Sequence, residues 1–164
     1  MFVLGIDPGL TTTGYGIVTE QGGREAATAF GVIRTDPATP DADRLVELHN
    51  DVQALIAEHR PRLAAIEQVF VNRNRHTAVS VARASGVILL ALAEAGLAVA
   101  EYTPSGVKMA LTGSGTADKE QMQKVVAMRL GLAGPPAPAD AADALAVALC
   151  HLQHRGAIRA GVMG

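Results

Sequence analysis

Residues 2–35, FVLGIDPGLTTTGYGIVTEQGGREAATAFGVIRT, decide the fold. The stretch contains three apolar or alternating segments, at Phe2–Asp7, Gly14–Glu20 and Ala26–Thr35. Pro8-Gly9 and Gly22-Gly23 separate them and are typical turn pairs. Connections this short can join only antiparallel strands, because a parallel pair needs a crossover of a dozen or more residues. The opening stretch therefore predicts a three-strand antiparallel meander.

The remainder of the chain alternates predicted helices with two buried strands. Helical spacing of apolar residues and turn signals give the boundaries. The predicted elements are a helix capped by Asp41 or Asp43, a strand Leu63–Glu67, a helix Asn74–Ala95, a strand Leu97–Tyr102, a short helix from Pro104, a helix from Thr116 or Asp118 to about Leu130, and a last helix from about Asp140 to Arg155. This order predicts an α/β fold with a five-stranded mixed sheet and helices on both faces. We expect one domain over residues 1–155 and a flexible tail over 156–164.

The composition is that of a globular protein. The 164 residues are 49% apolar and 18% charged, so the chain can form a hydrophobic core and is not expected to be disordered. The single cysteine, Cys150, allows no internal disulfide, and no basic segment precedes the first apolar run as in a signal peptide. The apolar segment Leu89–Ala100 is interrupted by Glu94 and Gly96 and is too short to span a bilayer. We expect a cytoplasmic protein with no membrane contact.

Charge is unevenly distributed, although the net charge is only −2. Residues 1–58 carry three Arg against nine acidic residues, whereas residues 59–129 carry nine Lys and Arg against five acidic residues. A basic region on a nearly neutral chain is a candidate phosphate-binding surface, although solvated helix faces produce the same asymmetry. The candidate DNA-contacting residues in this region are Arg73, Arg75, Lys108 and Lys119.

Two carboxylates end predicted strands. Asp7 closes the first apolar strand, and Glu67 closes Leu63-Ala-Ala-Ile-Glu. Each has an ordinary alternative, since Asp7 fits a turn after a strand and Glu67 could face solvent. If the two strands are parallel neighbours, both side chains lie at the carboxyl edge of the sheet, where α/β proteins bind ligands.

Two further carboxylates, Asp140 and Asp143, lie in the first turn of the last helix and share one of its faces. One of them could serve only as the helix N-cap, and that alternative is strongest for Asp140. Together with Asp7 and Glu67 they would form an oxygen-only site suited to Mg²⁺ or Mn²⁺. Two such ions close together promote in-line attack on phosphodiesters.

Two other residues are candidates for substrate contact. Lys119 follows a Gly-Ser-Gly-Thr loop at a helix start, where it could reach a phosphate or a transition-state oxygen. Phe70, just beyond Glu67, could stack on an unpaired base. Each also fits an ordinary role, as a surface lysine and as a loop anchor. The sequence contains no Walker loop or dinucleotide fingerprint, and no Ser-His-Asp set can be placed.

Six ordered segments resemble the RuvC family of Holliday junction resolvases, which have a ribonuclease H-like fold. Each segment alone is weak evidence for the family, but the ordered set, which spans most of the chain, is specific to it. They are Gly5-Ile-Asp-Pro-Gly-Leu, Thr13-Gly-Tyr-Gly, Ile66-Glu-Gln-Val-Phe, Ala84-Ser-Gly, Tyr102-Thr-Pro-Ser-Gly-Val-Lys and Ala139-Asp-Ala-Ala-Asp-Ala-Leu-Ala.

The resemblance implies a structure-selective endonuclease that resolves four-way junction DNA in recombination and repair. It implies a homodimer that makes paired nicks, two Mg²⁺ ions that Mn²⁺ can replace, and a RuvA–RuvB branch-migration complex as partner. In some relatives a His stands among the C-terminal acids, whereas both positions here are Asp. The residue roles implied are metal ligation by Asp7, Glu67, Asp140 and Asp143, DNA or catalytic contact by Lys108 and Lys119, and stacking near the junction by Phe70.

Three alternatives remain open at this level. A ribosomal-RNA-processing nuclease of the same fold is the nearest, although such proteins are usually shorter and lack the Glu67-Gln-Val-Phe context. Residues 7–16 also look like the first phosphate motif of the actin and sugar-kinase superfamily, which requires two domains of this kind. A non-catalytic DNA-binding module is disfavoured, because clustered carboxylates repel phosphate unless metal is bound.

Overall fold

The protein is described here by a computed structural model that covers residues 1–69 and 75–159, with backbone alone for 75–76 and 157–159. Five strands and five helices are described. They are β1 Phe2–Asp7, β2 Thr12–Gln21, β3 Arg24–Arg34, α1 Asp41–His59, β4 Leu63–Glu67, α2 Arg75–Glu94, β5 Ala98–Tyr102, α3 Pro104–Thr112, α4 Lys119–Leu130 and α5 Ala139–Arg159.

The five strands form one mixed sheet in the order β3-β2-β1-β4-β5. β1, β2 and β3 pair antiparallel, while β4 runs parallel to both β1 and β5. This confirms the predicted meander and the predicted α/β class. β1 and β4 are thus adjacent and parallel, so their carboxyl ends meet at the centre of one sheet edge.

Each face of the sheet carries its own apolar core, because successive strand residues point to opposite faces. Leu4 and Ile6 of β1 pack toward α1 and α2, in a core with Leu48 and Ile88. On the other face, Val3 packs with α3, α4 and α5, in a core that includes Leu145. The chain is therefore a three-layer sandwich, and the position of a strand residue in this alternation determines the face it occupies.

Helix α5 lies unusually close to the sheet. A Cβ added at Gly5 would collide with the backbone of Ala144, and one at Gly14 with the backbone of Asp140. Gly16 lies against the Leu145 side chain in the same way. Three of the strand residues under the helix thus have no side chain, and α5 contributes Ala144 and Ala148 to the contact with Gly5. Backbone packing of this kind holds the first turn of α5 at the sheet edge.

Several boundaries differ from those predicted. α1 begins after Pro40 without a side-chain cap, and Asp41 lies inside its first turn. α5 begins at Ala139, so Asp140 is a helical residue and not the N-cap. α5 also continues to Arg159, so the predicted tail is helical at 156–159, and 160–164 lie outside the described residues. The capping prediction was correct for α4, where Asp118 and Gln121 form a reciprocal capping box.

Helix α2 is apolar on more than one side. Ala84, Ile88 and Leu92 are buried against the sheet, whereas Val79 is 51% exposed and Leu90 is 53% exposed. By length and composition alone, the stretch Thr77–Glu94 meets the requirements of a membrane span, with mean hydropathy 1.5 and 28% of it buried. The sequence had offered only a shorter, interrupted segment for that role. A helix with a core face and a second apolar face is suited to burial on two sides.

Candidate active site

Asp7 and Glu67 lie side by side at the carboxyl ends of β1 and β4. The register pairs Gly5 with Ala65 and Ile6 with Ile66, which places Asp7 and Glu67 one position further along. Each lies two positions beyond a residue that faces α5, Gly5 in β1 and Ala65 in β4, so both carboxylates face α5 as well. The prediction that the two strand ends share one edge is confirmed.

Asp140 and Asp143 reach this edge because the first turn of α5 rests on β2. Gly14 contacts the Asp140 backbone, and the same Gly14 is the register partner of Asp7. Asp140 is therefore held across from Asp7 by backbone contacts and not by side chains. Asp143, one turn further along the same helix face, lines a cavity together with Glu67.

The four carboxylates interact electrostatically. Burial raises the pKa of Asp7 to about 8, with further contributions from Glu67, Asp143 and Asp140. Burial and the charge of Asp143 raise the pKa of Glu67 to about 7. Burial also raises the pKa of Asp143, against the opposing effect of Lys119. Such upward shifts arise where carboxylates are crowded and desolvated without enough positive charge, as at functional sites.

Two lysines supply part of the missing positive charge. Lys119 Nζ lies 3.5 Å from Asp143 Oδ2, and the lysine side chain remains 60% exposed. Lys108 of α3 and Lys119 of α4 both line the cavity of about 200 Å³ that Glu67 and Asp143 border. The positive charge of these lysines offsets part of the rise in the pKa of Glu67. The structure thus places Lys119 beside the carboxylates, and the catalytic role inferred for it from the sequence stays a prediction.

The donor set fits a hard divalent cation by its chemistry. It consists of carboxylate oxygens, which Mg²⁺ and Mn²⁺ prefer, and the raised pKa values of Asp7, Glu67 and Asp143 show a deficit of positive charge that a cation would relieve. Within residues 1–69 and 75–159, no three His, Cys, Asp or Glu side chains are already arranged to hold a metal ion. The site is thus a cluster of interacting acids and not a preformed cage.

One hydrogen bond beside the site was not predicted from the sequence. Tyr102, the register partner of Glu67, pairs through its hydroxyl with His151 Nδ1 at 2.8 Å. His151 is only 9% exposed, and burial lowers its pKa. The pair joins the end of β5 to α5, so it braces the strand next to Glu67. The contact gives His151, two turns beyond Asp143, a structural role, and no sequence pattern identifies its partner.

The structure describes only some of the residues predicted to contact DNA. Phe70 and Arg73 lie outside the described residues. Arg75 begins α2, and its side chain is not described. The sequence predictions for these three residues remain predictions.

Comparison with known proteins places the chain beside junction nucleases. The model of the family described as crossover junction endodeoxyribonuclease RuvC matches residues 3–151. The protein of that name from Syntrophomonas wolfei is 49% identical over 152 residues, which cover 93% of this chain and 88% of the relative. The corresponding protein from Heliobacterium modesticaldum is 51% identical over 150 residues, covering 92% and 93%.

The solved structures lead to the same group. T. thermophilus RuvC in complex with a Holliday junction substrate superimposes with a TM-score of 0.86 and 36% identity, over 95% of this chain and 96% of that chain. The yeast mitochondrial Holliday junction resolvase Ydc2 superimposes with a TM-score of 0.69 at 15% identity, which shows the common fold alone.

Proposed function

Because the chain belongs to the RuvC family of crossover junction endodeoxyribonucleases, we propose that its four-carboxylate site resolves Holliday junctions in homologous recombination and repair. The observation that carries this proposal is the convergence of Asp7, Glu67, Asp140 and Asp143 at one sheet edge, where burial and neighbouring carboxylates raise the pKa values of Asp7, Glu67 and Asp143. The reaction is hydrolysis of a phosphodiester bond. A protein that only bound DNA would gain nothing from acidic groups placed where phosphate must approach.

We propose Mg²⁺ as the cofactor, as two ions held by Asp7, Glu67, Asp140 and Asp143, with Mn²⁺ as a substitute. Held by these four carboxylates, the ions would supply Lewis acidity toward a water nucleophile and positive charge beside the transferring phosphate. The contribution of the chain is to present oxygen ligands from two strands and one helix, with little freedom to separate. The support is the donor chemistry and the charge deficit described above.

Lys119 is proposed to act on the phosphate itself. In the DNA-free protein its ammonium group lies beside Asp143 at 3.5 Å, and its exposure leaves it free to turn toward a bound strand. There it would stabilise the negative charge that develops on the phosphate oxygens. Lys108 lines the same cavity and is proposed to hold the neighbouring phosphate.

Three more DNA contacts are proposed on sequence grounds. Arg73 and Arg75 are proposed to bind DNA phosphates, and Phe70 is proposed to stack on a base that only a junction leaves unpaired. Binding should then weaken steeply with salt, because each phosphate contact releases counterions. Neutralising Arg73 or Arg75 should make that slope shallower by roughly one unit per lost contact.

A homodimer is proposed, with α2 at the interface. Resolution needs two symmetry-related nicks, and the second apolar face of α2, with Val79 and Leu90 exposed, is the kind of surface that a two-fold contact would cover. A sedimentation mass near one chain at micromolar concentration would contradict this. The RuvA–RuvB branch-migration complex is proposed as the partner, and the cytoplasm as the location.

The function is tested with three substrates in parallel, a synthetic four-way junction, a linear duplex of matched sequence and a structured RNA, each with and without Mg²⁺. We expect Mg²⁺-dependent paired nicks in the junction only. Preferential cleavage of the RNA would instead favour the alternative of a ribosomal-RNA-processing nuclease. Asp7→Asn is the control for contaminating nucleases, since it removes a site carboxylate while nearly preserving side-chain shape.

A further inference from the structure

A buried arginine in α1 has no role in the site described above. Arg44 is 6% exposed and lies on the apolar side of α1, next to Leu48. Arginine is almost never buried unless its guanidinium is fully paired, because desolvating the charge is costly. Its contacts therefore indicate what its burial accomplishes.

The Arg44 guanidinium donates hydrogen bonds in three directions. Nη2 donates to Thr11 Oγ1 at 2.7 Å, and Nε donates to Thr35 Oγ1 at 2.9 Å. Nη1 donates to Asp41 Oδ1 at 3.2 Å, and Arg83 of α2 holds the other oxygen of that carboxylate at 3.1 Å. A planar fork with five donors can serve such a set at once, which the single ammonium of a lysine cannot.

Two of these acceptors belong to the network that fixes the β1–β2 loop, residues 8–11. Thr35 Oγ1 donates to the carbonyl of Leu10 at 2.6 Å, and the Thr35 amide donates to the carbonyl of Thr11 at 3.2 Å. Thr13 Oγ1 donates to the Gly9 carbonyl at 2.6 Å. Three consecutive loop residues, 9–11, are thus tied down. Thr35 holds the last two of them, and Arg44 binds both Thr35 and Thr11 itself.

This loop begins immediately after Asp7. Asp7 closes β1, and the chain then has only four residues before β2 begins at Thr12. A shift of the loop would be transmitted to the Asp7 backbone, because so short a segment has little slack. An error of about 1 Å in the placement of a reacting group can cost on the order of a hundredfold in rate.

We propose that Arg44 is a positioning residue of this nuclease. Through Thr11 and Thr35 it fixes the β1–β2 loop, and thereby the Asp7 carboxylate, to α1. Asp41, which binds both Arg44 and Arg83, extends the same network to α2. The proposal deepens the proposed function and rests on it, since Asp7 is taken to be a metal ligand.

The cleanest perturbation is Thr11→Val, which replaces the hydroxyl with a methyl group of similar size and leaves Arg44 Nη2 without its acceptor. Thr11→Ser restores the hydroxyl. Val52→Ala is the matched control. Val52 is fully buried in α1, the helix that carries Arg44, and its truncation opens a cavity without changing a contact of the loop. For each variant we would measure melting temperature, Mn²⁺ affinity of the DNA-free protein by calorimetry, junction affinity without metal, and single-turnover cleavage at saturating protein.

Thr11→Val should cut about tenfold or more slowly and bind Mn²⁺ several-fold more weakly, with junction affinity within about twofold of wild type. Thr11→Ser should recover both losses. Val52→Ala should lower the melting temperature at least as much and change neither quantity. If Thr11→Val behaves like Val52→Ala, losing stability alone, Arg44 only stabilises the fold and the proposal is wrong.

The Mn²⁺ measurement separates this proposal from the proposed function. If wild type binds Mn²⁺ but cuts no junction, the proposed function fails, whereas unequal Mn²⁺ affinities of Thr11→Val and Val52→Ala still support the positioning of Asp7. Equal Mn²⁺ affinities in all four proteins overturn the positioning role even if wild type cuts junctions normally.

Discussion

Gly14→Ala should slow cleavage, although Gly14 is neither a proposed metal ligand nor a proposed catalytic residue. The added Cβ would come about 1 Å closer to the Asp140 carbonyl oxygen than the 3.0 Å that Cβ atoms respect. The added Cβ is bonded directly to the β2 backbone, and the oxygen belongs to the α5 backbone. No flexible side chain can therefore relieve the contact. Either the first turn of α5 moves away by about 1 Å, or β2 moves and carries the register partner Asp7 with it.

The expected loss follows from that displacement. Separating Asp140 and Asp143 from Asp7 by about 1 Å should slow cleavage on the order of a hundredfold. Overpacking of this kind costs about 1–3 kcal/mol, which is less than the 5–15 kcal/mol typical of a folded domain, so the variant should still fold. Gly16→Ala should be milder, because its Cβ would meet the Leu145 side chain at 2.7 Å and the nearest α5 backbone atom only at 3.1 Å.

The assay is single-turnover cleavage of a four-way junction at saturating protein, with junction affinity measured separately without divalent metal. Gly156→Ala is the control, since Gly156 lies in the same helix with no atom near its added Cβ, and alanine favours a helix by up to about 1 kcal/mol. Gly14→Ala that is folded and cuts within about threefold of wild type would refute the argument that backbone contact sets the position of the acids.

Three further predictions concern the charged groups of the site. Asp7→Asn and Asp140→Asn should each abolish cleavage while junction binding is retained or tightened, because each substitution removes a ligand charge and relieves repulsion of phosphate. Normal cleavage by Asp140→Asn would show that Asp140 is not a metal ligand. Lys119→Ala should slow the single-turnover rate more than it weakens binding, and a wild-type rate at saturation would reduce Lys119 to a phosphate anchor. Folding raises the pKa of Asp7 from 3.8 to about 8 and of Glu67 from 4.5 to about 7, so the folded metal-free protein holds more protons than the unfolded chain in that range. Its melting temperature should therefore fall as pH rises from about 4 to 8, and the fall should be shallower in Asp7→Asn; a melting temperature that rises over this window contradicts the burial of these acids.

The sequence was sufficient to predict the strands and the convergence of Asp7 with Glu67. Alternation, short turns and apolar runs are local signals, and parallel neighbours necessarily share an edge. The sequence left open whether Asp140 was a cap or a site residue. The structure places it within α5, because packing of α5 on Gly14 decides where the helix starts relative to the sheet.

Contacts between distant segments could not be predicted in this way. Arg44 was a polar residue in an apolar stripe, and nothing near it in sequence identifies Thr11 or Thr35 as its acceptors. The Tyr102–His151 hydrogen bond joins residues 49 positions apart. The cap predicted at Asp41 failed for a related reason, since its carboxylate is occupied by Arg44 and Arg83. Long-range polar pairing leaves no periodic trace in a sequence.

The direct contact of α5 with the glycines of β1 and β2 has a consequence for amide hydrogen exchange. Local openings expose segments with few buried contacts, whereas elements packed in the centre exchange only when the whole domain unfolds. Asp140 and Asp143 belong to a helix whose backbone directly approaches the central strands at Gly5 and Gly14. The amides of Gly5 and Ala148 should therefore exchange at the rate of global unfolding. Two of the four acids would then be mounted on the slowest-exchanging part of the chain, so the spacing of the site would persist for as long as the domain itself remains folded.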